Sequence, residues 1–180
     1  MQFKSITLVL ACVLATGLMA SPLQARNEFA ELYRVNDKDG GSLIYYGFFE
    51  DNDTETPTSD TSRLQERASC PTMKEPKCDG ANAARNPICD KLVTDLEGNS
   101  DVNVPGSPRQ ICYQGSTEKN AFCCVSWHNK VPNLNKGELA PFAHKILRTC
   151  TANGISGKIY GVRVGGTCTD ACLSNRGTHC

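Results

Sequence analysis

Apolar and polar residues recur along this chain in two rhythms. Ile88, Cys89, Leu92, Val93 and Leu96 fall at three- and four-residue spacing, one stripe of a helix. Asn86-Pro87 stands before it as an N-cap with proline in the first turn, and Gly98 ends it. Leu139, Phe142, Ala143, Ile146, Leu147 and Cys150 repeat the pattern, predicting a second helix near Glu138 to Thr149. Asn135 and Glu138 have capping-box spacing, Pro141 argues for a later start, and Asn153-Gly154 marks the end.

The second rhythm is alternation. Gln110-Ile111-Cys112-Tyr113 and Ala121 to Trp127 read as two strands of a hairpin joined by the polar stretch Gln114 to Asn120. Alternation sends Phe122 and Cys124 to one face and Cys123, Val125 and Trp127 to the other. The adjacent cysteines are therefore placed to bridge different partners. Lys158 to Val164 is a third strand, with Tyr160, Val162 and Val164 expected on one face, and Gly165-Gly166 turns it. Cys168, Cys172 and Cys180 are expected to pin a C-terminal tail. The order helix, strand, strand, helix, strand predicts an α+β fold, with two helices packed on one face of a small antiparallel sheet.

Upstream, Ser42 to Phe49 is strand-like after the Asp39-Gly40-Gly41 turn. Asp51 to Ser62 is polar, acidic and proline-containing, and reads as a disordered linker. It carries the glycosylation sequon Asn52-Asp53-Thr54. At the N-terminus, Lys4 precedes an apolar run from Ile6 to Ala20, too short to span a bilayer and ending in small residues. This is the pattern of a secretory signal peptide, with cleavage after Ala20 or Ala25. No later stretch is apolar enough to cross a membrane.

Composition then divides the remainder. Residues 26–67 hold ten acidic and five basic residues and no cysteine; residues 68–180 hold thirteen basic and nine acidic residues. All ten cysteines left after the signal lie in the second part: Cys70, Cys78, Cys89, Cys112, Cys123, Cys124, Cys150, Cys168, Cys172 and Cys180. An even number in an oxidising compartment predicts five internal disulfides. Arg67, just before the first cysteine, is a candidate processing site. The reading is a signal at residues 1–20, an acidic propeptide or flexible linker at 21–67, and a cysteine-rich module at 68–180.

From Ile88 to Cys180 the chain resembles the fungal secreted WD-like domain family. The residues that carry the resemblance are Ser107 to Tyr113, Cys123-Cys124-Val125-Ser126-Trp127, Val131-Pro132, Lys136-Gly137, Cys150 to Lys158, Gly165 to Thr169 and Cys172 to Gly177. The Leu43 to Gly47 patch is similar to the region before that domain. The resemblance implies an extracellular protein of fungal source, and no activity for particular residues. A looser similarity to killer-toxin-like and necrosis-effector proteins rests on pattern alone.

Candidate chemistry is sparse. Ser126 and His128 share a strand face but lack a nucleophile elbow. Cys168-x-x-x-Cys172 with His179 and Cys180 has zinc-like spacing, which secretion opposes through oxidation. Asp90 with Asp95 and Glu97 with Asp101 lack an apolar setting. No catalytic residue, metal or cofactor is assigned, and no nucleic-acid partner is expected. Trp127, Tyr113 and Tyr160 are candidate binding anchors. Lys158, with Lys130, Lys136, Lys145 and Arg163, is a candidate basic face toward an acidic glycan or lipid surface. The expected function is a secreted, non-enzymatic, effector-like or toxin-like protein toward an unknown host or microbial surface. The alternative is a cell-wall or glycan-binding component, and a small hydrolase comes third.

Overall fold

Both apolar stripes become helices. The structure, a computed structural model, describes residues 29–48, 70, 75–104, 108–116 and 121–176. Helix α1 (Asn86–Gly98) buries Cys89, Leu92, Val93 and Leu96. Its N-cap is Arg85 rather than Asn86, because the backbone is already extended at Arg85 and its carbonyl accepts the first helical N–H groups. Helix α2 (Lys136–Thr149) starts at the expected capping box, two residues earlier than the apolar stripe alone implies. Pro141 lies inside it and removes one backbone donor from the ladder.

Among the described residues, seven strands form one antiparallel sheet: β1 (Phe29–Asn36), β2 (Ser42–Phe48), β3 (Lys77–Asp79), β4 (Pro108–Gln114), β5 (Phe122–Trp127), β6 (Ser156–Val164) and β7 (Thr167–Ser174). Their order is β1-β2-β4-β5-β7-β6-β3. Both helices cover the same face, where α1 and α2 share one core with Tyr45, Ile111, Val125, Trp127, Ile159 and Leu173. The α+β sandwich is as expected, with a larger sheet.

Two expectations are corrected. Thr167–Ser174 is not a pinned tail but strand β7, paired with β5 on one side and β6 on the other. Tyr160 does not share a face with Val162 and Val164. A bulge interrupts the β6 register between Ile159 and Val162, with Gly161 at φ 63°, so Ile159, Val162 and Val164 are buried and Tyr160 is exposed.

The compositional boundary at residue 67 is also not a boundary of the sheet. Strand β2 lies inside the acidic, cysteine-free part, yet it pairs with β4 and buries Leu43, Ile44 and Tyr45. Alternating apolar residues outweigh composition there, because a strand needs only an apolar face and a free edge to join.

Between described residues there are four disulfides. Cys89 in α1 joins Cys123 in β5, and Cys78 in β3 joins Cys150 at the end of α2. Cys70 joins Cys168, and Cys112 joins Cys124, its cross-strand neighbour. Cys123 thus bridges toward the helices and Cys124 on the opposite face. Cys172 is disulfide-bonded as well. In the chain-entropy view such loops contribute about 3 kcal/mol at the shortest and about 4.7 kcal/mol at the longest. Where α2 meets β6, Gly157 is required: a Cβ there would stand 2.6 Å from Ile146 and 2.7 Å from the Cys150 sulfur.

Candidate functional site

A concavity of about 900 Å³ lies between the β1–β2 hairpin and helix α1. Remote segments build it. The hairpin contributes Tyr33, Val35 and the Asp37–Asp39 turn; β4 contributes Tyr113; α1 contributes Lys91 and Asp95; the approach to α2 contributes Val102 and α2 itself Lys136. That approach is held to α2 by backbone bonds from Lys136 N–H to the Val102 carbonyl at 3.0 Å and from Gly137 N–H to Ser100 at 2.9 Å.

At its floor the rings of Tyr33 and Tyr45 stack with centroids 4.0 Å apart. Burial, with the Tyr33–Tyr45 interaction, holds the Tyr33 phenol well above its ordinary pKa. Burial pushes Tyr45 up to about 12. Lys136 Nζ bonds Asp95 at 2.9 Å and lies 5.5 Å from the Tyr45 centroid, its side chain only 6% exposed. On the wall, Tyr113 donates its hydroxyl hydrogen bond to Asp37 at 2.9 Å. That bond holds the Asp37 carboxyl below its usual range, while burial and then Asp37 raise Tyr113. Lys91 pairs with Asp39 at 2.7 Å.

The lining therefore carries Asp37, Asp39 and Asp95 against Lys38, Lys91 and Lys136, a balance of charge. Val35 and Val102 add apolar surface, 51% and 46% exposed. Tyrosine faces, balanced polar groups and exposed valines suit a neutral, hydroxyl-rich or amphipathic ligand. Nothing in the sequence pattern brings these segments together; only the position of β1–β2 at the sheet edge does.

The residues singled out by sequence separate into two groups. Trp127 and Tyr113 are not surface anchors: both are buried, because β4 and β5 are interior strands whose inward positions face the helices. Tyr160 and Lys158 are together on the opposite face, with Lys158 Nζ 4.5 Å from the Tyr160 centroid and 3.1 Å from Asp170. The lysines do not make one basic face. Lys136 is in the cleft and Lys145 pairs with Glu75 at 2.8 Å, while Lys158 is across the sheet. Ser126 is buried while His128 is exposed. The zinc-like spacing at Cys168 and Cys172 is overturned, since both sulfurs are in disulfides and neither is a free thiolate. Ala20, Ala25, Asn52, Arg67 and Cys180 lie outside the described residues. Among the described residues no helix is long and apolar enough to cross a membrane.

The model of the Fungal WD-like family matches residues 37–180. The chain belongs to the Fungal WD-like family. The match begins in the β1–β2 turn, so this WD-like chain shares with its family strand β2 as well as the cysteine-rich part. No curated protein and no solved structure matches it. It is a small, cysteine-rich, disulfide-bonded WD-like protein, and these features fit secretion.

Proposed function

We propose that this protein is secreted and non-enzymatic, and that it acts outside the cell by binding, in an effector-like or toxin-like role toward a host or competing microbe. The cleft between the hairpin and α1 supports this most. Four of its ionic side chains are paired as Lys91–Asp39 and Lys136–Asp95, Asp37 is held by the Tyr113 hydroxyl, and its rim offers the exposed surface of Val35 and Val102 above the half-buried Tyr33. Such a site selects by shape and hydrogen bonding rather than by charge.

A second reading, a cell-wall glycan-binding component, is favoured by the neutrality of the lining. Both are tested with protein purified from medium and applied to insoluble chitin, β-glucan and intact host or competitor cells. Binding to cells with a change in their growth supports the effector-like role. Retention on the glycans without any effect on cells supports the wall component. In either case Val35→Asp and Val102→Asp, at exposed rim positions, are expected to weaken retention about tenfold, or roughly 1.4 kcal/mol, with unfolding unchanged. Clean flow-through on every surface, with no effect on any cell, would sink both.

A further inference from the structure

Away from the cleft, the far edge of the sheet carries a concentration of cations that the proposed function leaves unused. Lys77 in β3 stands directly opposite Lys158 in β6, so two ammonium side chains share one face of a cross-strand pair. Like charges in that position destabilise a sheet unless something lies between them. Arg176, just beyond β7, lines the same pocket of about 130 Å³, with Asp79 and the hydroxyl-bearing Ser174. Lys158 is paired with Asp170. The Asp79 carboxylate accepts the Ala81 N–H at 2.8 Å. Lys77 and Arg176 have no carboxylate partner among the described residues. The lining is thus three cations against one carboxylate, or against two when Asp170 is included.

We propose that this pocket binds the phosphate or sulfate ester group of a glycan. A tetrahedral oxyanion between Lys77, Lys158 and Arg176 relieves the like-charge pair and takes charge-assisted hydrogen bonds from each. Tyr160, 43% exposed and beside Lys158, supplies a ring on which the attached sugar can stack. The two carboxylates decide between sources of the anion. Asp79, in the lining, can accept a hydrogen bond from a sugar hydroxyl, while Asp170, held by Lys158 at 3.1 Å and by the Gly161 N–H at 3.0 Å, adds to the repulsion of the many headgroups of an anionic bilayer. The concave shape also admits a single ester better than a flat lipid surface.

The test is NMR titration of the full secreted protein with inorganic phosphate, inorganic sulfate, mannose 6-phosphate and mannose, beside sedimentation with phosphatidylcholine–phosphatidylserine vesicles. The sugar phosphate is expected to shift the amides of Lys77, Lys158 and Ser174 at concentrations where mannose does not. Lys77→Ala and Arg176→Ala are each expected to weaken it about tenfold, or roughly 1.4 kcal/mol. Both positions are exposed, and unchanged thermal unfolding shows that the fold survives. Tyr160→Ala is expected to weaken the sugar phosphate but not inorganic phosphate. Absence of shifts with every anion overturns the proposal, as does binding to vesicles in preference to the sugar phosphate. Since the cleft variants leave this pocket intact, failure here and failure of the cleft are read separately.

Discussion

Glu138 ties the start of α2 to the β6–β7 turn: its Oε2 accepts the Gly165 N–H at 2.5 Å, and its Oε1 accepts that of Asn135 at 3.4 Å. One carboxylate satisfies a helix N-terminus and a turn 27 residues later. It also sits where the helix dipole favours negative charge. Hydrogen bonds to a charged acceptor contribute about 1.5–3 kcal/mol. Glu138→Ala is therefore expected to lower stability by about 2 kcal/mol, with Glu138→Gln recovering part of the loss. Urea denaturation of the three proteins checks the order.

Lys136 and Asp95 form the ion pair at the floor of the cleft, but unequally buried, at 6% and 27% side-chain exposure. Removing Asp95 strands a buried ammonium, while removing Lys136 leaves a carboxylate that still reaches water and Asn99 Nδ2 at 2.8 Å. Asp95→Ala is expected to cost about 3 kcal/mol, the lower end for breaking a buried pair. Lys136→Met, which keeps the apolar stem against Tyr45, is expected to cost about 1 kcal/mol. The reverse order in chemical denaturation would show that Lys136 is solvated.

The hairpin makes an unusual demand on processing. Strands β1 and β2 contain no cysteine, and the four described bridges lie between Cys70 and Cys168. We propose that a protease cuts after Arg67. The fragment ending there is then held without a disulfide, by β2–β4 pairing, burial and the Asp37–Tyr113 and Asp39–Lys91 contacts. It is expected to co-elute with residues 68–180 in native buffer and to separate in denaturant without reductant. N-terminal sequencing shows whether the cut occurs. Loss of the fragment in native buffer would mean that the hairpin is not a stable part of the sheet.

Alkali should weaken the fold through the tyrosines around the cleft. Tyr45 is raised to about 12 by burial, and Tyr33 and Tyr113 are raised as well. A raised folded pKa gives stability that is complete below the ordinary tyrosine value near 10. It is lost as pH rises through the folded value. Between pH 9 and 11, Tyr45 alone is expected to account for roughly 1 kcal/mol. Melting temperature followed over that range checks this. Tyr45→Phe should flatten the decline.

How much of this could be read beforehand depends on the element. The helices were legible because Leu92 and Leu96, or Ala143 and Leu147, repeat at the helical period. The opposite facing of Cys123 and Cys124 followed from alternation. Strand β7 was not legible: its β-branched residues, Thr167 and Thr169, are polar and alternate with Cys168 and Asp170 without an apolar face, and it is a strand because β5 and β6 flank it. Strand β3 has three residues, too few for any period, and β1 mixes Glu31 and Arg34 into a half-exposed edge. The cleft was invisible for a different reason. Its tyrosines, lysines and valines come from the β1–β2 hairpin, β4, α1, α2 and the approach to α2, and topology alone assembles them. Trp127 looked like an anchor because exposure of a tryptophan depends on whether its strand is interior.

The most direct test of the central claim, that the protein acts by binding through this cleft, is amide chemical-shift mapping of the secreted protein with surface material released from the host or competitor cells and with soluble chitin and β-glucan oligosaccharides. The expected result is a set of shifts confined to Val35, Lys91, Thr94, Val102 and their neighbours around the cleft, abolished by Val102→Asp. Shifts elsewhere with the cleft silent, or none with the cell-surface material or either sugar at millimolar concentration, would contradict the assignment of this cleft as the binding site.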